Sequence, residues 1–469
     1  MTKYCIRHGF RLALVLIWIS LASTTTSWAG LGGGLKWNRT KDQVSADINS
    51  GNLRNVLEEV AAATGWQVFL EPNTSRSIST KFNNLPPGDA LQRLLGDVNF
   101  ALVPATNGPS KLYVFRTTQV NATQLVEPAK ADSEPSQSKA IPNELIVRLK
   151  PGAKIDELAK LLGAKVVGRI DGLNAYRLQF EDASAADSAR DQLADNPDVT
   201  AVDSNYIVER PQLPQPIPGA GLPPPQLQLK PPPDSGRIII GLVDTSVQPL
   251  GNNLDQFIMK QLSVAGDVQV ASETPTHGTA MAETILRSLQ DITKGITSVQ
   301  ILPVNIYPGG GVGEASTTTF DVANGITAAV NGGGTVLNLS LGSANDSEFL
   351  HDLIKEISKR GIPIFAAAGN EPVTTPYYPA AYPEVKAVTA IDRGHLAPYA
   401  NRGSFVSLGA PGNSVVSFGS QSFTVQGTSV SSAFTSGLAA GYLETSGGNV
   451  AKMQTFMTEN FGVKITPTK

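Results

Sequence analysis

From Gly236 onward, continuous apolar stretches alternate with helical segments, and this alternation restricts the fold more than any other feature of the sequence. "RIIIGLVD", "VQILPVNIY", "TVLNLSLG" and "IPIFAAAGN" carry apolar residues at odd and even positions alike. Such strands need cover on both faces, which is the situation of a parallel sheet and not of a half-solvated antiparallel one. "THGTAMAETILRSL", "TTFDVANGITAAVN" and "EFLHDLIKEISKRG" lie between them and supply the covering helices. The reading is α/β, with a doubly wound, mainly parallel sheet over 236–469, and functional groups gather at the carboxyl ends of such strands.

Four polar residues fall at those ends or at helix starts. Asp244 closes "IIIGLVD" and is either a partly buried, hydrogen-bonded carboxylate or a capping residue ahead of Thr245 and Ser246. His277 opens "HGTAMAETIL", where Ala280 and Ala282 let the helix start pack tightly and hold an imidazole; the alternative is a structural histidine. Asn370 ends "IFAAAGN" and can donate to a developing oxyanion or stabilise a turn. Ser429 follows Gly427 and Thr428 at the start of "TSVSSAFTSG". A helix N-terminus offers unpaired N–H groups and a positive dipole end there, which favours a nucleophile. Ser431, Ser432 and Ser436 lie deeper in the helix, where packing is their role.

"VDTS", "HGTAMAETI", "AAAGN" and "GTSVSSAFTSG" together resemble, in the same chain order, the motifs of the subtilisin-like serine proteases (peptidase family S8), over Arg237 to Thr445. The order Asp, His, Ser separates this arrangement from the chymotrypsin and α/β-hydrolase orders. The resemblance implies a catalytic triad of Asp244, His277 and Ser429. It implies an oxyanion hole formed by Asn370 and the Ser429 N–H. It also implies two substrate-binding edges, Gly311, Val312 and Gly313 in one and Ser340, Leu341 and Gly342 in the other, pairing with an extended peptide. Three positions depart from the family pattern. Ser246 stands where Gly is usual, Glu283 replaces a small residue, and Ala433 replaces a Pro. "YYPAAYPEVKAVTAID" resembles a family loop that sometimes lends carbonyls to a cation. No cofactor is required and no metal ligand is assigned; a structural calcium has no support in the sequence.

The preceding chain divides into shorter parts. Residues 1–29 combine Lys3, Arg7 and Arg11 with "LALVLIWISLA" and a small-residue end at "SWAG", the pattern of a secretory signal peptide. Residues 37–117 read as an α+β unit with helices over "NLRNVLEEVAAATG" and "PGDALQRLLGDV". Its layout resembles the short N-terminal domain of secretins and TonB-dependent receptors, which implies an envelope partner. A polar linker is expected over 118–140. Residues 141–210 read as β-α-β-β-α-β and resemble the ferredoxin-like pro-domains of secreted subtilases, which implies an intramolecular chaperone and inhibitor. Ten prolines between Pro211 and Pro233 read as a semi-rigid polyproline tether over 211–235.

Cys5, the single cysteine, lies within the signal segment, so the mature chain has no disulfide, zinc–thiolate site or cysteine nucleophile. Without residues 1–29, 34 of the 37 Lys and Arg face all 40 Asp and Glu, a net charge of −6 that argues against nucleic acid as a partner. The functional expectation is a secreted or periplasmic serine endopeptidase made as a zymogen and acting on peptide or protein substrates. The alternative, raised by the three departures, is a catalytically weak scaffold docked to the envelope.

Overall fold

The computed structural model describes residues 35–38, 43–71, 74, 77–96, 98–104, 109–126, 140–217, 227–231, 238–266, 273–311 and 316–463. The signal segment and Val312 and Gly313 lie outside these residues. The chain forms two compact units, Met1–Pro135 and Ser136–Lys469.

The first unit has two sheets. Leu35–Asn38, Gln43–Asn52 and Ser77–Leu85 form one; Asn99–Val103, Lys111–Phe115, Gln67–Leu70 and Gln124–Val126 form the other. Helix Leu53–Thr64 buries Leu53, Val56, Leu57, Val60 and Ala61, the helically spaced set. Strand Gln124–Val126 pairs antiparallel with Gln67–Leu70 inside the expected linker, so the sheet reaches beyond residue 117. Its three residues are too few to show a period, and the polar surroundings mask them.

In the second unit the elements are labelled in chain order. The four strands β1 (Ala140–Leu149), β2 (Lys165–Ile170), β3 (Ala175–Gln179) and β4 (Val199–Val208) form an antiparallel sheet in the order β4-β1-β3-β2, with helices α1 (Ile155–Leu161) and α2 (Ala183–Ala194). Strand periodicity sends alternate residues to opposite faces. Leu145, Val147 and Leu149 pack on α1 and α2. Ile146, Ile170 and Ala175 join a core shared with the domain that follows. At Gly168 a Cβ would lie 2.7 Å from the Phe320 ring, so the absence of a side chain admits that ring.

The following domain is built on β5 (Ile239–Asp244), β6 (Gln300–Asn305), β7 (Thr317–Thr318), β8 (Val336–Leu339), β9 (Ile364–Ala367), β10 (Lys386–Asp392) and β11 (Leu408–Pro411), with the hairpin β12 (Asn413–Phe418) and β13 (Gln421–Gln426). The sheet order is Leu262–Ser263, β6, β5, β8, β9, β10, His395–Leu396, with β11 also paired to β10. All pairs are parallel except that of the His395–Leu396 edge strand. Helices α3 (His277–Thr293), α6 (Thr428–Thr445) and α7 (Val450–Phe461) share a core with Ile240, Leu242, Ile301, Val336 and Phe365. Helices α4 (Thr319–Asn331) and α5 (Glu348–Lys359) cover Val243, Val304, Leu337, Leu339 and Ile364 on the other face. Successive residues of each strand thus enter opposite cores, which explains the continuous apolar runs. Strand order reverses at β5, and Asp244 ends that strand.

Two expectations are corrected here. The stretch "YYPAAYPEVKAVTAID", read as a loop, contains β10. The tether is more than a spacer: Gln215–Pro216 pairs with β13, Lys230 bridges to Ile296, and Leu229 is buried in the main core. Its described prolines flank residues that still bring backbone donors and apolar side chains to the domain surface.

Candidate active site

Helices α3 and α6 set the site. At Gly437 a Cβ would lie 2.0 Å from Ser288 Oγ and 2.6 Å from the Ile285 carbonyl; at Gly441 it would meet Ile292 and Leu289. Small residues therefore let the helices touch backbone to backbone. Residue 437 lies against 285 and residue 441 against 289, so the helices run parallel in constant register. Both helices begin at the carboxyl edge of the sheet: Gly278 N donates to Thr245 Oγ1 after β5, and Thr428 N to Asn370 Oδ1 after β9.

Asp244 is 1% exposed and His277 2% exposed. The imidazole Nδ1 lies 2.8 Å from Asp244 Oδ1 and 3.0 Å from Oδ2, and the Thr245 N–H donates to Oδ1 at 2.6 Å. A carboxylate only accepts, so Nδ1 carries the proton and Nε2 is left as a base. Gly278 has a steric reason: its Cβ would sit 2.2 Å from the Thr245 carbonyl oxygen. Only glycine lets the helix start come that close to the Asp244 turn.

Ser429 is 8% exposed and doubly tied to Ser340. Its Oγ donates to the Ser340 carbonyl at 3.1 Å, and Ser340 Oγ donates to the Ser429 carbonyl at 2.9 Å. The hydroxyl thus points to Ser340 and not to His277 in this state; catalytic hydrogen bonds are often unformed without substrate. Asn370 is exposed, and its Oδ1 accepts from Thr428 N at 2.8 Å and Thr428 Oγ1 at 3.0 Å. Its Nδ2 is therefore the end turned outward as a donor. Gly427 has φ 146°, and a Cβ there would stand 2.9 Å from Asn370 Nδ2.

Of the substrate edges, Ser340 and Leu341 are buried, and Gly342 accepts a hydrogen bond at its carbonyl from Tyr377 Oη at 2.7 Å. Gly311 ends a short 3₁₀ turn, Pro308–Gly311. Ser432 and Ser436 do more than pack: both donate to Asn338 Oδ1 at 3.0 Å, and Asn338 Nδ2 donates to Ser340 Oγ at 2.9 Å. Asn338 is wholly buried and joins α6 to β8. Sequence reading missed it, although an amide inside "TVLNLSLG" is a buried polar group that needs partners.

The three departures have structural uses or none that touch Asp244, His277 or Ser429. Glu283 is buried on α3; Ser417 N donates to its Oε2 at 2.8 Å and Arg287 pairs with Oε1 at 2.7 Å, while burial raises its carboxyl above the usual range. It ties α3 to β12. Ser246 has no left-handed backbone angle, so glycine is not demanded there, and its carbonyl accepts from Thr276 Oγ1. Ala433 lies within the continuous helix α6. Among the described residues no group of three or more His, Cys, Asp or Glu could hold a metal, and no helix is long and apolar enough to cross a membrane.

Residues 235–461 match the model of the Subtilase family, and residues 126–205 match that of the fervidolysin N-terminal prodomain. A thermophilic serine proteinase from Bacillus sp. (strain AK1) is 32% identical over 43% of this chain and 51% of its own length. Thermitase from Thermoactinomyces vulgaris is 28% identical over 49% of this chain and 82% of its own. The chain thus spans about half the length of the Bacillus relative. The crystal structure of fervidolysin from Fervidobacterium pennivorans, a keratinolytic enzyme related to subtilisin, shares the fold with a TM-score of 0.52 at 20% identity, over 68% of this chain and 56% of that one. The match to the Subtilase family thus covers residues 235–461 and lies C-terminal to the match to a fervidolysin-type prodomain.

Proposed function

We propose that this chain is the zymogen of a secreted or periplasmic serine endopeptidase. The observation that carries the reading is the pairing of His277 Nδ1 with both oxygens of buried Asp244, with Ser429 at the start of the helix that packs against the His277 helix. In the reaction, the Ser429 hydroxyl leaves the Ser340 carbonyl and turns to His277 Nε2. The imidazole takes the proton as Oγ bonds to the peptide carbonyl carbon. Negative charge on the carbonyl oxygen meets Asn370 Nδ2 and the Ser429 N–H, a donor contribution of about 3–4 kcal/mol. The C–N bond breaks as the imidazolium returns its proton to the leaving amine, and water reverses these steps on the acyl-enzyme. Asp244 keeps the tautomer and stabilises the imidazolium. No cofactor enters these steps. The peptide lies extended along Ser340–Gly342 and past Gly311.

The zymogen part is supported by the docking of the β1–β4 sheet on α4 and α5. Asp203 Oδ2 accepts from Ser347 Oγ at 2.7 Å and Phe349 N at 3.1 Å at the start of α5, and β4 pairs with β7. Directly after β4, the Glu209 carbonyl accepts from Tyr307 Oη at 3.1 Å, close to the end of β6. The pro-domain thereby delivers the following chain to the catalytic edge of the sheet. Fluorophosphonate labelling of purified protein beside Ser429→Ala, read with intact mass, tests this. Labelling that is lost in Ser429→Ala, on a chain whose new N-terminus lies in 211–235, is expected. An active, intact chain beginning at Gly30 overturns the zymogen; a folded chain freed of residues 141–210 that takes no label overturns the protease and leaves the binding scaffold.

The N-terminal unit is the part that would dock to an envelope component. Deletion of 37–117 is expected to change localisation or co-purifying partners, and unchanged localisation and partners would sink that assignment.

A further inference from the structure

We infer that Tyr377 closes the pocket for the residue on the acyl side of the scissile bond (P1), so that the enzyme cuts after small residues. The inference rests on the protease reading above. Ser429 Oγ is 3.1 Å from the Ser340 carbonyl, and Asn370 offers Nδ2 to the oxyanion. A carbonyl carbon at Ser429 with its oxygen toward Asn370 must send the P1 side chain between Ser340–Gly342 and Gly369–Asn370. These segments continue the adjacent parallel strands β8 and β9, where Leu339 pairs with Ala366. The slot between two neighbouring strand ends is the space a P1 side chain has.

The Tyr377 ring fills that slot. A Cβ on Gly342 would lie 2.5 Å from Tyr377 Cε1, and one on Gly369 would lie 3.2 Å from Tyr377 Cγ. The ring therefore packs against both walls where each lacks a side chain. It is fixed there by Tyr377 Oη donating to the Gly342 carbonyl at 2.7 Å. The next residue is anchored as well: Ser343 N donates to the Tyr378 carbonyl at 2.8 Å and Tyr378 N to the Ser343 carbonyl at 2.7 Å. Swinging the ring out would break its hydroxyl bond and its packing on both walls, and shifting the backbone would break two more bonds, so the ring is a wall and not a gate. A Gly, Ala or Ser side chain fits beside it; Phe, Tyr or Leu meets the ring.

The test uses two diphenyl phosphonate peptides that differ only in Ala or Phe at P1, on processed wild type, Tyr377→Gly and Tyr377→Phe. A fluorophosphonate without a residue-like side chain reports on the activated serine independently. Wild type is expected to react with the Ala probe about 100-fold faster than with the Phe probe. Tyr377→Gly is expected to lower that ratio by about tenfold or more, and Tyr377→Phe to keep it. Equal rates in wild type, or an unchanged ratio in folded Tyr377→Gly, overturn the inference while fluorophosphonate labelling leaves the protease standing. No fluorophosphonate labelling overturns the protease reading and this inference with it. Should Tyr377→Gly not fold, the wild-type ratio and its persistence in Tyr377→Phe decide.

Discussion

The helices that carry His277 and Ser429 both begin at the carboxyl edge of the sheet yet satisfy their first N–H groups with different partners. At the His277 helix, Thr276 is a side-chain cap: its Oγ1 accepts from Thr279 N at 3.1 Å, and Thr245 Oγ1 accepts from Gly278 N at 2.7 Å. Gln248 adds bonds to Thr276 and Thr279. At the Ser429 helix, the residue before the first turn is Gly427, which has no side chain to cap with. Thr428 N goes to Asn370 Oδ1 and Val430 N to the Gly427 carbonyl. Among the described residues, Ser429 N has no hydrogen-bond partner. The first turn of the His277 helix is thus tied by side chains at Gly278 N and Thr279 N, while His277 N has no hydrogen-bond partner among the described residues. On the proposed mechanism, the unpaired Ser429 N–H is a donor held ready for charge that appears only in the transition state.

The strongest way to break this comparison is at Asn370, which both orders the open end and completes it. Asn370→Ala is expected to lower kcat about 10²–10³-fold with little change in KM, measured on a peptide p-nitroanilide. Asn370→Asp keeps an acceptor for Thr428 but has no donor, so it sharpens the test. It is expected to lose kcat to a similar extent while Thr428 keeps its partner. Activity near wild type in Asn370→Asp would show that the oxyanion is not met at this end.

The same contrast marks what the sequence could and could not reveal. Asp244, His277, Asn370 and Ser429 were legible because each follows an apolar strand or opens a small-residue helix, where a polar group is conspicuous. The β-α-β-β-α-β order of 141–210 was legible, and one face of its sheet meets α1 and α2 while the other meets α4 and α5. Asn338 was not, because it sits inside an apolar run and its partners Ser432 and Ser436 are about a hundred residues away in sequence. Tyr377 was hidden for a related reason. Its ring acquires meaning only through two glycines, Gly342 and Gly369, brought to it by separate strands. The packing of Leu229 and the pairing of Gln215 were hidden by the prolines around them. A proline-rich stretch excludes regular structure for itself, but it does not exclude being held by a neighbour.

The capped end yields a smaller effect of a different kind. Thr276 lies just outside the reacting groups, and its hydroxyl serves Thr279 N and the Ser246 carbonyl, both buried. Thr276→Ala is expected to cost about 1–2 kcal/mol of stability, read as a lower denaturant midpoint in a Ser429→Ala background that cannot digest itself. Thr276→Ser keeps the hydroxyl and is expected to recover most of that loss. The activity of Thr276→Ala is expected to fall far less than that of Asn370→Ala, because the His277–Asp244 bonds come from a different side chain. A large loss of kcat in Thr276→Ala at unchanged stability would mean that the cap positions the imidazole during the reaction, and the capped helix start would then be as much a part of the proposed catalysis as the start of the Ser429 helix.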